Sequence, residues 1–236
     1  MPMDLFFHSG PRSGFPVGCT TITGASVRGF DSGLDFSVVR PRLGETITEA
    51  HSDESAWVLL RGAAELEFDG TRVTVRQANV FDEPPTALHL GPHTPVVIRS
   101  QSDDTEWAIV RTPNERAFAP RLFLPADLKP EYRGAGLVQN ACLRNVRLIF
   151  DRTTRPEPNL VVGEVVNYPG RWSSYPPHHN DQSEIYHYRF THPDGYGHAE
   201  LGDDVLKVRA HAPESHPAAI TRKSPCRLRQ VSSLHA

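Results

Sequence analysis

The stretch 65–75 reads Glu65-Leu66-Glu67-Phe68-Asp69-Gly70-Thr71-Arg72-Val73-Thr74-Val75. It predicts a β-hairpin, because an Asp-Gly pair readily adopts the positive φ angles of a type I′ turn. Short runs of β-forming residues recur along the chain, whereas apolar residues do not repeat at helical spacing. The 21 prolines and 17 glycines are spread over the whole length and separate nearly every pair of runs. We therefore predict an all-β protein.

The predicted strands form two series, one on each side of a proline-rich connector at 112–137. We place the domain boundary in this connector, with one domain at 1–120 and the other at 121–236. Because the second series repeats the pattern of short strands and turns of the first, two tandem barrels are the simplest account. The first series is 34–40, 55–60, 64–68, 71–75, 79–81, 96–100 and 105–111. The second is 145–150, 160–166, 184–190 and 204–209.

Composition narrows the class of partner. The 236 residues carry a formal net charge of −3 with both signs interspersed, so no basic stripe suggests a nucleic acid. No apolar stretch approaches the roughly 18 residues of a membrane span, and the amino terminus lacks the pattern of a signal peptide. Cys19, Cys142 and Cys226 are an odd number without a paired motif, which favours buried thiols in a reducing compartment. We therefore expect a cytoplasmic protein that binds no nucleic acid and no membrane.

A dense set of metal-ligand residue types lies at 176–184. Cupin barrels that bind metals use the spacing H-x-H-x(3 or 4)-E, and His178, Asn180 and Glu184 occupy it with asparagine in place of the second histidine. Imidazole and carboxylate suit Zn²⁺, Mn²⁺ or Fe²⁺, whereas an amide oxygen is a weaker ligand. His179 is an alternative ligand if the loop shifts by one residue. The competing interpretation is a solvated turn that is rich in histidine.

Four stretches carry a resemblance to a known family: Gly170-Arg171-Trp172-Ser173-Ser174-Tyr175-Pro176-Pro177-His178, Glu184-Ile185-Tyr186-His187-Tyr188-Arg189, Arg133-Gly134-Ala135-Gly136 and Leu143-Arg144-Asn145-Val146. They resemble the motifs G-x-W-S-S-Y-P-P-H, E-I-Y-x-Y-R, R-G-x-G and R-x-V of the 5-deoxy-glucuronate isomerases of myo-inositol catabolism. The resemblance is specific over 133–209 and diffuse over 29–111.

The resemblance implies two tandem cupin barrels of the jelly-roll type. It also implies metal-assisted conversion of 5-deoxy-D-glucuronate to 5-dehydro-2-deoxy-D-gluconate, with Zn or Mn as the expected metal. His178 and Glu184 match metal ligands, Asn180 stands at a histidine position, and His216 matches the fourth ligand through His216-Pro217-Ala218-Ala219. The expected partners are a small-molecule sugar acid and, if the chain self-associates, further copies in a homo-oligomer.

The chain departs from the family at its carboxy-terminal end. Residues 220–236 are basic and serine-rich, where the family has a closing strand rich in Tyr, Leu and Val. This composition predicts an incomplete second barrel with an unpaired edge. Two alternatives to the isomerase therefore stay open. One is a degenerate cupin that binds a sugar acid without turnover, and the other is a related uronate ketol-isomerase of pectin degradation.

Further site residues come from strand period and from the matched motifs. Tyr186 and Tyr188 alternate with Glu184, so all three are expected to share a face, where a phenol can shuttle a proton, bind a sugar hydroxyl or fill the core. Tyr186 and His187 are the candidate catalytic bases, and Tyr188 is a candidate substrate contact. Arg133 and Arg144 are candidate ligands of the substrate carboxylate, because a guanidinium grips a carboxylate with two hydrogen bonds. Arg189 falls on the opposite face, which favours a structural role.

The first barrel is predicted to hold no metal. His51 and Glu54 lie where a cupin motif would be, but the second histidine is missing and the spacing is short. His89 and His93 flank Gly91-Pro92 and are predicted to lie at the surface. Trp57 and Trp107 lie in apolar strands and are predicted core residues.

Overall fold

The computed structural model describes residues 6–7, 14–24, 33–173, 184–201, 204–209, 218–221 and 229–233. Strands account for nearly all the regular secondary structure of these residues, which confirms the all-β prediction. The strands are β1 (Phe6–Phe7), β2 (Gly18–Thr23), β3 (Asp35–Arg40), β4 (Thr46–Glu49), β5 (Glu54–Phe68), β6 (Thr71–Gln77), β7 (Thr86–Leu90), β8 (Val96–Ser100), β9 (Glu106–Thr112), β10 (Arg121–Phe123), β11 (Glu131–Arg133), β12 (Arg144–Phe150), β13 (Val162–Asn167), β14 (Arg171–Trp172), β15 (Glu184–His187), β16 (Tyr196–Leu201), β17 (Asp204–Arg209), β18 (Ala218–Thr221) and β19 (Arg229–Ser233).

Helix is a minor component of the described residues. It consists of two single turns of 3₁₀-helix, Pro125–Asp127 and Val138–Asn140. Neither turn is long or apolar enough to cross a membrane, and no other helix occurs in the described residues.

The chain divides into two compact units. The amino-terminal unit comprises Pro16–Pro130 and Arg147–Glu164, and the carboxy-terminal unit comprises Met1–Phe15, Glu131–Val146 and Val165–Ala236. The sequence predicted a single division after residue 120. In the structure, Met1–Phe15 belongs to the carboxy-terminal unit and Arg147–Glu164 belongs to the amino-terminal unit. The two domain ranges drawn from the sequence stay a prediction.

Strand β5 organises the amino-terminal unit. Its first half pairs with β7 and β9, and its second half pairs with β6 and β8. The register shifts between Leu59 and Arg61, and Gly62 follows with a φ of +91°. A Cβ at Gly62 would lie 2.6 Å from Ser102 Oγ, so the neighbouring chain passes too close for a side chain. Two strands were predicted at 55–60 and 64–68, but this bulge and glycine let one 15-residue strand bend and serve both sheets.

The predicted hairpin is present. Asp69 and Gly70 have φ angles of +47° and +72°, and Phe68 pairs with Thr71 across the turn. Residues 79–81, in contrast, form a turn and not the predicted strand. The Glu83 carboxylate accepts hydrogen bonds from the backbone N–H groups of Ala78 and Asn79, at 2.6 and 3.0 Å. These donors are thereby satisfied locally, without a neighbouring strand.

Trp57 and Trp107 lie at the centre of the amino-terminal unit, as predicted. They are 1% and 0% exposed, and their rings meet edge to face with centroids 6.2 Å apart. Each buried aromatic side chain stabilises the fold by roughly 1.5–3 kcal/mol through the apolar surface it removes from water. The surrounding core residues are Val39, Leu59, Ala64, Leu66, Phe68, Val75, Leu88, Leu90, Val96, Ile98 and Ile109.

The carboxy-terminal unit contains β1-β18-β15 as one sheet and β14-β19-β16-β17 as another, and β11 pairs with β12. Strand β19 lies in the basic, serine-rich segment 220–236, and β18 extends into its first two residues. Strand β18 lies between β1 and β15, and β19 lies between β14 and β16, so both strands are paired on both sides. The incomplete second barrel stays a prediction. Strand pairing uses backbone groups, so it does not require the Tyr, Leu and Val composition.

Candidate functional site

Glu184 and Tyr186 form the first part of the candidate site, on β15 of the carboxy-terminal unit. The Tyr186 hydroxyl donates a hydrogen bond of 2.8 Å to Glu184 Oε2. Burial raises the pKa of Tyr186 far above its usual value, and the negative charge of Glu184 raises it further. The phenol therefore stays protonated, which suits a hydrogen-bond donor better than the predicted proton shuttle.

Tyr188 lies two residues beyond Tyr186 along the chain. The two rings stack with centroids 6.4 Å apart and an interplanar angle of 23°. Tyr188 and Tyr186 are both partly buried. Tyr188 and Glu184 thus both contact Tyr186, as the strand period predicts.

His187 faces a different set of neighbours. Arg189 donates from Nε to His187 Nε2 at 2.9 Å, and its guanidinium lies 5.9 Å from the centre of the Phe15 ring. The His187 ring also contacts Phe15, with centroids 5.9 Å apart. A ring nitrogen that accepts a hydrogen bond from a guanidinium carries no proton, so His187 is neutral with its lone pair at Nε2. The structural role of Arg189 stays a prediction.

Arg133 and Arg144 are register partners on β11 and β12. Side chains directly opposite each other on antiparallel strands have Cβ atoms roughly 4.5–5.5 Å apart, and like charges there repel. Arg133 is exposed and donates to Glu131 Oε2 at 2.9 Å, while Arg144 is partly buried and donates to the Cys142 carbonyl at 3.1 Å. Burial lowers the pKa of Arg144, and the charge of Arg133 lowers it further. Two guanidinium groups in this arrangement are suited to share an anion.

The predicted metal ligands fall mostly outside the described residues. This applies to His178, Asn180, His216 and the alternative His179, so Glu184 is the one member that the structure describes. Glu184 has the residue type of a metal ligand, and its Oε2 accepts the hydrogen bond of Tyr186. Within the described ranges, no three His, Cys, Asp or Glu side chains converge on a common point. The ligand set stays a prediction.

The amino-terminal unit contains a buried polar cluster that sequence reasoning missed. His89 was predicted to lie at the surface, but it is 0% exposed on β7, as is Glu54 on β5. His89 Nε2 lies 3.0 Å from Glu54 Oε1, and Arg155 Nη1 lies 3.1 Å from His89 Nδ1. Because Arg155 can only donate, Nδ1 accepts and Nε2 donates to Glu54. The His89 ring stacks on Phe150, with centroids 4.1 Å apart.

Glu54 accepts four hydrogen bonds in this cluster. Besides His89, the donors are the Asn114 amide at 2.7 Å and the backbone N–H groups of Asn159 and Leu160 at 2.8 and 3.1 Å. Burial alone would raise the pKa of Glu54, but these bonds hold it below its usual value. Burial lowers the pKa of His89, and the charge of Arg155 lowers it further. The cluster therefore holds a carboxylate, a neutral imidazole and a guanidinium in series.

A second buried arginine of this unit, Arg147, donates hydrogen bonds to the backbone carbonyls of a turn. Its guanidinium donates to the carbonyls of Val80, Phe81 and Glu83 and to Glu164 Oε1, at 2.6–2.9 Å. Burial raises the pKa of Glu164 to about 7, even though the contact with Arg147 acts in the opposite direction. Nothing in the local sequence marks this contact, because Arg147 and the turn are more than sixty residues apart.

The other two histidines of the amino-terminal unit are His51 and His93. His93 is exposed, as predicted, and its backbone N–H donates to the His51 carbonyl at 2.6 Å. His51 is partly buried, and its Nδ1 accepts a hydrogen bond from the Asp53 N–H at 3.1 Å. The absence of metal from the first barrel stays a prediction.

Comparison with known proteins identifies the family. The model of the KduI/IolB family matches residues 14–218. The chain belongs to the KduI/IolB family. The match extends over both series of predicted strands, which agrees with the resemblance seen in the motifs.

A curated relative in this family has a named activity. The 5-deoxy-glucuronate isomerase of Geobacillus kaustophilus (strain HTA426) is 29% identical over 183 residues, covering 75% of this chain and 64% of that protein. The chain thus spans slightly less than two thirds of the length of this relative. Isomerases are therefore among the relatives of this KduI/IolB chain.

Solved structures with similar folds agree with the all-β cupin prediction. An IolB-like protein from Salmonella typhimurium LT2 has a TM-score of 0.79 at 21% identity, covering 98% of this chain and 88% of that one. Bacillus subtilis oxalate decarboxylase, described with Mn(II) centres, has a TM-score of 0.58 at 11% identity, covering 98% and 76%. At these identities the likeness concerns the fold of the KduI/IolB chain alone.

Proposed function

We propose that the protein is an aldose–ketose isomerase of a sugar acid, with 5-deoxy-D-glucuronate as substrate and 5-dehydro-2-deoxy-D-gluconate as product. Membership of the KduI/IolB family and the named activity of the Geobacillus relative support the reaction class. The observation that carries the proposal is the cross-strand pair of Arg133 and Arg144, because an anionic substrate needs a cationic site.

In the proposed complex, the substrate carboxylate lies between the two guanidinium groups. An anion there relieves the repulsion between Arg133 and Arg144 and gains charge-assisted hydrogen bonds. Arg144 is the stronger contributor, since its partial burial reduces screening by water. Arg133 is more exposed and already contacts Glu131, so its contribution is smaller.

Isomerisation requires removal of a proton from the carbon next to the aldehyde and return of one to the aldehyde carbon. His187 is the better of the two candidate bases, because it is neutral with a lone pair at Nε2, whereas the Tyr186 phenol stays protonated. Arg189 must release Nε2 before that lone pair can accept a proton. Tyr186 acts as a donor that orients Glu184, and Tyr188 offers a hydroxyl to the sugar.

We propose that a divalent metal, Zn or Mn, is held by His178, Asn180, Glu184 and His216. When bound, such a metal polarises a carbonyl and its neighbouring oxygen. Glu184 supplies a carboxylate whose second oxygen is oriented by Tyr186. Asn180 supplies an amide where the family has an imidazole, and this substitution favours the second candidate function, binding of a sugar acid without turnover.

The test is incubation of the purified protein with 5-deoxy-D-glucuronate in the presence of Zn²⁺ or Mn²⁺, followed by NMR of the product. The expected result is ketose formation that falls by about 10²-fold in Arg144→Met, since a misplaced substrate reacts slowly. Arg76→Met, on the exposed face of β6, is the matched control and should leave the rate unchanged. Binding without turnover would support the degenerate cupin. Turnover of a pectin-derived deoxy-hexosulose uronate instead would support the related ketol-isomerase.

The location and assembly of the protein are also proposals. We propose a cytoplasmic address, and a homo-oligomer if the chain self-associates. Cell fractionation and analytical ultracentrifugation test these two points independently of activity.

A further inference from the structure

The turn that joins Arg133 to Arg144 has an unusual backbone. Three consecutive residues other than glycine, Val138, Gln139 and Asn140, have φ angles of +45°, +53° and +61°. A left-handed conformation costs roughly 1–2 kcal/mol for each such residue, and a β-branched residue such as Val138 is a particular outlier. Strain of this size persists only where the surroundings impose it.

Burial of apolar side chains does not hold this turn. Leu137 and Val138 are 62% and 69% exposed. Backbone hydrogen bonds within the turn close it locally, as does one of 2.7 Å from the Gly136 N–H to Asn140 Oδ1. Arg171 ties the turn to β14, because it donates from Nη1 to the carbonyls of Gln139 and Asn140, at 2.9 and 2.7 Å. The backbone N–H of Trp172 also donates to the Ala141 carbonyl at 2.8 Å.

The base of the turn is closely packed beside the arginine pair. Gly134 follows Arg133 with a φ of +79°, and a Cβ there would clash with the Cys142 carbonyl oxygen. Only glycine fits this approach. Cys142 in turn accepts the hydrogen bond of Arg144 through the same carbonyl. A shift of the turn must therefore move the backbone at both arginines.

We propose that Arg171 is a positioning residue that sets the spacing of Arg133 and Arg144 for a carboxylate. It does so by imposing the left-handed turn between them. This inference rests on the proposed function, in that the arginine pair is taken as the carboxylate site. Arg171 lies seven residues before His178, in the sequence motif that leads to the predicted metal ligands.

The test measures binding of D-glucuronate and of its uncharged counterpart D-glucuronamide to the full chain by calorimetry. Wild type should bind the acid more tightly. Arg171→Met should weaken binding of the acid by on the order of tenfold while leaving the amide unchanged, because only the acid needs the paired charges. Arg152→Met, on an exposed loop, is the control and should change neither.

Relief of the strain provides the second variant. In Arg171→Met with Val138→Gly, glycine adopts the positive φ angle without penalty, so the double variant should fold and regain most of the lost affinity for the acid. An unchanged affinity in Arg171→Met overturns the inference, as does equal weakening for acid and amide, or a double variant that folds without regaining affinity. If the wild type converts 5-deoxy-D-glucuronate but Arg171→Met keeps its affinity for D-glucuronate, the positioning role is wrong and the proposed function stands. If the wild type binds D-glucuronate more tightly than D-glucuronamide but does not isomerise 5-deoxy-D-glucuronate, the proposed function is wrong and the positioning role stands.

Discussion

The carboxylate of Glu54 and the imidazole of His89 lie 3.0 Å apart, and neither side chain is exposed to solvent. A charged group is stable in such a place only when its hydrogen-bonding capacity is satisfied, and the four donors around Glu54 achieve this. Two of these donors are backbone N–H groups of Asn159 and Leu160. The cluster therefore fastens the segment Arg147–Glu164 to the rest of the amino-terminal unit.

Glu54→Gln should destabilise the protein by about 3–5 kcal/mol, the usual cost of breaking a buried charged network. The new amide group would face donors, leaving at least two of them without an acceptor. Urea unfolding followed by tryptophan fluorescence measures the change. Glu67→Gln, at an exposed position of β5, is the control and should stay within about 0.5 kcal/mol. A similarly small effect at Glu54 would contradict the described network.

Glu164→Gln should alter how stability depends on pH. The folded protein raises the pKa of Glu164 to about 7, from 4.5. Between these values the folded state keeps a proton that the unfolded state loses, so Glu164 makes the protein less stable as pH rises from about 4.5 to about 7. The variant lacks this contribution. Its free energy of unfolding should therefore rise relative to that of the wild type as the pH increases from about 4.5 to about 7. Parallel curves, measured in urea from pH 4.5 to 8, would argue against it.

Tyr186→Phe should weaken metal binding by about 10–100-fold, the usual effect of removing a group that orients a ligand. The variant loses the 2.8 Å hydrogen bond to Glu184 and keeps the ring. Competition with a chelator measures the affinity for Zn²⁺ or Mn²⁺. Tyr188→Phe is the matched control on the stacked neighbour and should leave the affinity unchanged. Equal effects of the two substitutions on metal affinity would show that the Tyr186 hydroxyl does not orient Glu184.

Asn180→His should raise the affinity for Zn²⁺ or Mn²⁺ by more than about tenfold, because an imidazole is the better ligand and completes the set of four. Wild type should show partial occupancy. Calorimetry with each metal makes the comparison, and His179→Ala tests whether the neighbouring histidine substitutes for Asn180. If neither wild type nor Asn180→His binds metal, the metal proposal is wrong and the degenerate cupin takes its place.

Gly62→Ala should destabilise the amino-terminal unit by about 2–4 kcal/mol, from left-handed strain together with overpacking. The new methyl group would meet Ser102 Oγ and the Thr105 backbone at 2.6 Å. Gly44→Ala is a matched control, because its φ is +76° but nothing lies within 4 Å. It should therefore cost only the strain, about 1–2 kcal/mol. Equal effects on the denaturation midpoint would show that space at Gly62 is not limiting.

Local signals in the sequence predicted what is local in the fold. Asp69-Gly70 specifies its own turn, and the spacing of two residues places Glu184 and Tyr188 in contact with Tyr186, although β15 ends at His187. Gly91-Pro92, in contrast, suggested an exposed loop around His89. The neighbours that bury this histidine are 35 and 66 residues away, at Glu54 and Arg155, where no local pattern reveals them.

The candidate site shows the same limit. The motifs selected Arg133 and Arg144 as candidates, but their position opposite each other depends on the pairing of β11 with β12. The turn between them was not predicted either. Val138 and Gln139 have no intrinsic preference for the left-handed region, and Arg171, which donates to the Gln139 carbonyl, is more than thirty residues away.

Strand β5 hydrogen-bonds to four neighbours, β6, β7, β8 and β9, along one continuous backbone. Neither sheet of the amino-terminal unit can separate without releasing amides of this strand. Local opening at the periphery leaves β5 intact, so its amides exchange with solvent deuterium only through global unfolding of the unit. The slowest-exchanging amides on both sides of Gly62 should therefore report the same free energy, and the two sheets should melt in a single cooperative transition.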